Sequence, residues 1–299
     1  MEKYIIDVAK LNEEITTNTD AFISECENNY KNQLKSVVSS IVQKDGIKFI
    51  LLAGPSSSGK TTTAKLLKQN LIEVGFNCKT ISLDDFFVER KDTPLWENGR
   101  PNYESVDAID WSLFDKCMHE LLKNGKTLMP VYDFITGTKS FKYTLSLGEN
   151  DIIIIEGLHS LNPIIDRFIS TKFSVKLFLV PAVEYIFNNE VILSGRKLRF
   201  FRRLIRDTYT RGASPERTLD EWNEVLLGEQ LYIDPYKHTA DFTINTSHPY
   251  EVCIYHSIIK YLKLDQNPQF TLLVEPFDKI VSADKSLVPE GSLLQEFVH

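Results

Sequence analysis

The sequence predicts an α/β fold, a mostly parallel sheet with helices on both faces, on three observations. From residue 47 onward, short apolar runs of strand length alternate with stretches whose apolar residues recur at helical spacing. Asp151-Ile152-Ile153-Ile154-Ile155-Glu156-Gly157 carries four consecutive isoleucines, as a central parallel strand buried on both faces requires. Finally, the apolar run Ile47-Lys48-Phe49-Ile50-Leu51-Leu52-Ala53 leads directly into Gly54-Pro55-Ser56-Ser57-Ser58-Gly59-Lys60-Thr61, and a helical pattern begins at Thr62.

That last stretch fits G-x-x-x-x-G-K-[ST] in the strand, loop, helix context it needs to work. The glycines let the backbone curl its N–H groups around a phosphate, and the following helix points free amides and its positive dipole end at the same anion. Lys60 adds a charge near the β and γ phosphates of a bound nucleotide, and the Thr61 hydroxyl is a candidate ligand for Mg2+. The architecture is therefore read as a three-layer P-loop NTPase.

The elements follow in order. Residues 1–45 carry Val8, Leu11 and Ile15, then Leu34, Val37, Val38 and Ile41, at helical spacing, which predicts a helical N-terminal extension. After the loop helix, residues 78–83 read as a strand ending at Asp84-Asp85, and 111–123 as a helix stopped by Asn124-Gly125. Residues 127–134 are extended and 141–147 alternate like a hairpin strand. The isoleucine strand comes next, then a strand over 173–180 and one long helix from about 183 to 209. A helix over 215–226, a last strand over 241–244 and a helix over 252–264 complete the pattern. The predicted organisation is an extension (1–45), a catalytic domain (46–265, with an Arg-rich helical lid at about 195–215) and a C-terminal tail (266–299) packed on that domain.

Composition narrows the function. The 299 residues are 42% hydrophobic and 25% charged, an ordinary globular balance, and the net charge of −7 disfavours a broad nucleic-acid surface. No run approaches the length of a membrane span and the N-terminus lacks a signal-peptide pattern, so a cytoplasmic protein without a membrane partner is expected. A homo-oligomer is left open. The four cysteines, Cys26, Cys78, Cys117 and Cys253, lie far apart and are read as reduced, buried thiols.

In open α/β sheets ligands gather at the carboxyl ends of the strands, so the loop, Asp84 and Glu156 are expected on one edge. Phosphoryl transfer needs cations to neutralise developing charge and a carboxylate to take the acceptor's proton. Glu156 is a candidate for magnesium or an ordinary strand-end acid. Asp84 is a candidate base or a helix cap, and spacing alone does not separate it from Asp85. Arg199, Arg202, Arg203 and Arg206 share one helical face and, beside a P-loop, read as phosphate clamps on a mobile lid.

These residues resemble the uridine kinase and phosphoribulokinase family of P-loop kinases, in its bacterial uridine kinase-like branch. The resemblance rests on Gly54 to Thr62, Ser82-Leu83-Asp84-Asp85-Phe86-Phe87, Asn102-Tyr103-Glu104, Pro130-Val131-Tyr132-Asp133-Phe134, Ile155-Glu156-Gly157, and Arg202-Arg203-Leu204-Ile205-Arg206-Asp207 with Arg211-Gly212. It implies ATP-dependent phosphorylation of a nucleoside 5′-hydroxyl, uridine first, with a sugar phosphate or other small alcohol, or a binding protein without transfer activity, as alternatives. It implies Asp84 as catalytic base, assisted by Lys60 and Arg206, and Thr61 and Glu156 at the metal. Gly54 to Thr62 with Arg202 and Arg211 fall at the ATP. Glu104 and Arg203 fall at the ribose, and Phe87, Tyr103, Tyr132 and Phe134 form an aromatic wall around the base. Three base-contacting positions depart from the pyrimidine kinases: Gly137 replaces a histidine and is expected to open space, Ala213 replaces an arginine, and Glu221 replaces a glutamine.

Overall fold

The structure, a computed structural model, describes residues 3–148 and 150–298. Its elements begin with β1 (Tyr4–Asp7), α1 (Val8–Thr17), α2 (Thr19–Val42), β2 (Phe49–Ala53), α3 (Lys60–Glu73) and β3 (Cys78–Ser82). Then come α4 (Trp111–Asn124), β4 (Lys126–Asp133), β5 (Thr138–Ser146), β6 (Ile152–Glu156) and β7 (Ser174–Val180). The chain continues with β8 (Val183–Phe187), β9 (Glu190–Ser194), α5 (Gly195–Thr210), α6 (Pro215–Gly228), β10 (Phe242–Asn245) and α7 (Glu251–Tyr261).

Five strands make one parallel sheet in the order β10-β7-β2-β6-β3. Side chains alternate faces along a strand, and both faces are covered: Ile50 and Leu52 of β2 enter one core, Phe49, Leu51 and Ala53 the other. The isoleucines of β6 divide in the same way, which is why the strand is apolar throughout rather than alternating. Glu156, closing β6, lies opposite Leu52 on one side and Ser82 on the other, so β2, β6 and the edge strand β3 end nearly level and the loops leaving them open on one edge.

Two expectations change. The N-terminal extension is helical over α1 and α2, but it begins with β1, which pairs in parallel with β8. Four residues, two of them exposed, carry too short a pattern to be read from spacing. The long helix expected from 183 is instead the hairpin β8–β9 followed by α5, which starts only at Gly195 with Ser194 as its cap. The hairpin is turned by Asn188 (φ 51°) and Asn189 (φ 66°), the two positive-φ residues of a type I′ turn.

All four cysteines are buried and unpaired. Among the described residues no helix is long and apolar enough to cross a membrane.

Candidate active site

The P-loop connects β2 to α3. Ser57 (φ 58°) and Gly59 (φ 86°) take left-handed conformations within it, curving successive N–H groups into a concave nest. No side chain caps α3, so its first amides face that concavity. Gly59 is fixed by φ and also by space, since a Cβ there would lie 2.7 Å from Leu293 Cδ1. Lys60 donates from Nζ to the carbonyls of Gly54 (3.0 Å) and Pro55 (3.2 Å), which holds the ammonium inside the loop. Burial pulls its pKa down, while Asp84 and Glu156 act in the opposite sense.

Glu156 is buried at the level of the loop. Its Oε1 accepts hydrogen bonds from Ser82 Oγ (2.8 Å) and Thr61 Oγ1 (3.2 Å). Burial, then repulsion from Asp84, pushes its carboxyl up to about 7, against the opposing pull of Lys60. Among the described residues no cluster of three or more His, Cys, Asp or Glu could grip a metal. One carboxylate between two hydroxyls nevertheless fits magnesium, which keeps much of its water and takes few protein ligands beside substrate phosphates. Asp84 and Asp85 now separate. Asp85 Oδ1 accepts the Tyr132 backbone N–H (3.3 Å), facing the β4–β5 hairpin, and burial raises its carboxyl to about 6. The charge of Asp84 instead acts on Lys60, Glu156, Arg206 and Arg211.

Helix α5 faces this group across the loop. It is not a free flap, because Leu198, Phe200, Phe201, Leu204 and Ile205 root it in the core. Its arginines also divide. Arg202 is fully buried: it forms a two-pronged pair with Glu251 (2.7 and 2.8 Å), donates to Thr246 O (2.7 Å) and lies over the Phe297 ring. Its expected contact with ATP is therefore corrected, since these donors are consumed by the core. Arg199 is likewise buried, on Ser56 O and Glu229. Arg203, Arg206 and Arg211 converge on Asp207, at 3.3, 2.8 and 3.6 Å. Burial opposes the Arg206 charge, yet Asp207 and Glu296 outweigh it and its pKa rises. Burial beside Arg206 lowers Arg211 to about 10.

On the acceptor side the four expected aromatics come together. Phe87 lies 6.1 Å from Tyr103, 5.6 Å from Tyr132 and 6.0 Å from Phe134, and Tyr132 and Phe134 are 5.2 Å apart between ring centres. Arg211 stacks on Phe134 at 4.3 Å, joining the end of α5 to the wall. Glu104, also buried, meets Arg203 at 3.7 Å, and its Oε2 has no protein partner. Glu221 is held along α6 by Arg217 at 2.8 Å. Gly137 does not open space. A Cβ there would lie 2.7 Å from Arg90, whose guanidinium donates to Phe134 O (2.7 Å) and Ile135 O (3.2 Å), and φ is +72°. The glycine makes room for an arginine from another loop.

Sequence reasoning missed Arg90, Ser82, the role of Asp207 as a common anchor, and Glu296. Ser82 and Asp207 stand inside segments quoted above, but nothing in those segments assigns their roles, and Arg90 and Glu296 lie outside them. Thr62 Oγ1 donates to Glu296 Oε2 (2.7 Å) from 234 residues away in sequence. A cleft of about 440 Å³ opens at the opposite, amino edge of the sheet, between Lys48, Phe49, Asp151 and Phe168. It gathers none of these groups, and chemistry rather than volume identifies the site.

Comparison with known proteins finds a family and several relatives. The sequence profile of the Phosphoribulokinase / Uridine kinase family matches residues 49–252. A uridine kinase of Mycoplasma genitalium is 28% identical over 204 residues, covering 68% of this chain and 87% of the relative. A uridine kinase of Staphylococcus aureus is 29% identical over 195 residues, 64% of this chain and 84% of the relative. Among solved structures, D-glycerate 3-kinase from Cryptococcus neoformans is similar with a TM-score of 0.48 and 17% identity, over 68% of this chain and 88% of that one.

Proposed function

This chain belongs to the phosphoribulokinase / uridine kinase family and is a phosphotransferase, and from that premise we propose that it phosphorylates the 5′-hydroxyl of a nucleoside, uridine first, with ATP as donor. The observation that carries the nucleoside reading is the enclosure of Phe87, Tyr103, Tyr132 and Phe134 beside the Glu104–Arg203 pair. Rings stack on a base, and a buried carboxylate with a free oxygen accepts ribose hydroxyls. A phosphosugar would want cations where this wall offers rings.

In the proposed reaction Asp84 accepts the proton of the attacking hydroxyl as its oxygen bonds to the γ-phosphorus and the bond to the β-phosphate oxygen breaks. Lys60 and the loop amides hold the phosphates. Arg206 and Arg211, oriented by Asp207, meet the charge on the transferring group. Thr61, Ser82 and Glu156 would hold Mg2+, which when bound neutralises phosphate charge. The test is a side-by-side acceptor assay with ATP. Uridine or cytidine should lead, and activity confined to phosphosugars would overturn the nucleoside reading.

A further inference from the structure

The family match ends at residue 252, and the chain's last segment returns to the P-loop. The turn Leu293–Phe297 is built into the protein: Leu293, Leu294 and Phe297 are fully buried, and Ser292 Oγ donates to Glu27 (2.6 Å). Leu293 abuts Gly59, and Phe297 lies 5.0 Å beneath the Arg202 guanidinium. The residue between these anchors, Glu296, is only half-buried and aims its carboxylate at the first turn of α3, where it takes the Thr62 hydroxyl at 2.7 Å. Its charge also reaches Lys60, Glu156 and Arg206, the groups that surround the expected phosphates.

A helix start with free amides and a lysine is a seat for an anion, and here a carboxylate of the same chain sits against it. We propose that Glu296 is a built-in competitor for the donor phosphates: its carboxylate holds Thr62 in the free protein, and the nucleotide must turn it away to bind. This rests on the reading of the P-loop as the ATP site. The three buried anchors keep the tail in place, so only the Glu296 side chain has to rotate. The arrangement lowers affinity for any phosphate-bearing ligand and leaves the acceptor pocket alone.

The test is equilibrium binding of ATP, pyrophosphate and adenosine to the full-length wild-type protein, Glu296→Gln and Glu296→Ala, with circular dichroism to confirm folding. Removing one like charge from a partly screened site should tighten ATP and pyrophosphate about three- to thirtyfold in both variants. Adenosine, which has no phosphates, should bind unchanged, as should the acceptor nucleoside. Normal wild-type ATP binding with no gain in the variants, or a gain that adenosine shares, overturns this inference alone. A wild-type protein that binds neither ATP nor pyrophosphate overturns the donor-site reading and the inference together.

Discussion

At the scale of single residues the site turns on two carboxylates with different surroundings. Asp84 is half-buried and acts on the cationic groups of the loop and lid, whereas Asp85 is tied to the hairpin backbone. Asp84→Asn should therefore lower kcat by roughly 10²- to 10⁴-fold with little change in ATP binding, and Asp85→Asn should spare kcat. Steady-state kinetics on both variants decides it, with equal losses counting against Asp84 as the base. Glu156 makes a prediction about pH. Its folded value of about 7 lies above the ordinary 4.5, so the folded protein holds a proton that the unfolded chain has released. The stability this contributes is fully present below about pH 4.5 and is lost as pH rises through about 7. Thermal melts should fall over that window in the wild type and more weakly in Glu156→Gln. Magnesium favours the ionised carboxylate, so the gain in Tm that it gives should grow across the same window. A wild-type and Glu156→Gln difference that stays constant with pH would remove Glu156 from this role.

At the scale of elements, what could be read from sequence depended on whether a signal was local. The β2 strand, the loop and α3 carry their own periodicity and motif, and β6 carries its isoleucines, so the centre of the fold and its phosphate edge were legible. The β8–β9 hairpin was not. Its strands are five residues each and run straight into α5, so helical spacing beyond Gly195 spread backward over them. The available signal was Asn188-Asn189, two residues that tolerate positive φ, standing between short apolar runs. If that turn is type I′, Asn189→Gly should stabilise the protein by about 0.5–1 kcal/mol without touching kinetics, because glycine takes φ near 66° without steric penalty. Urea denaturation measures this, and a loss of stability would contradict the turn assignment. In the candidate site the same division holds. Phe87, Tyr103, Tyr132 and Phe134 lie close to recognisable segments, whereas Arg90 beside Gly137 and Glu296 beside Thr62 are encounters between distant loops that no spacing encodes.

Across the whole molecule, Arg202 shows how one helix serves both structure and chemistry. Its guanidinium joins α5 to Glu251 of α7, to Thr246 after β10, and to Phe297 of the tail, and all of it lies away from water. Arg206, one turn further along α5, is only half-buried, pairs with Asp207 and faces the phosphate edge. The two arginines should therefore fail in opposite ways. Arg202→Met strands the Glu251 carboxylate in the core, and breaking one side of a buried pair costs about 3–5 kcal/mol. That corresponds to a fall in Tm on the order of 10 °C for a chain of this size. Protein that remains folded at low temperature should keep much of its kcat, since Arg202 meets the loop only through the Ser57 carbonyl (3.5 Å). Arg206→Gln should do the reverse, leaving Tm within a few degrees while kcat falls at least tenfold, as expected when a charge that meets the transferring phosphoryl group is lost. Replacing Arg202 and Glu251 together by apolar residues should recover most of the lost stability, because no unpaired charge is then left inside. Calorimetry and kinetics on the same preparations separate the two roles. If Arg202→Met kept its Tm but lost kcat, the guanidinium would belong to the reaction after all, in keeping with the arginine spacing along α5.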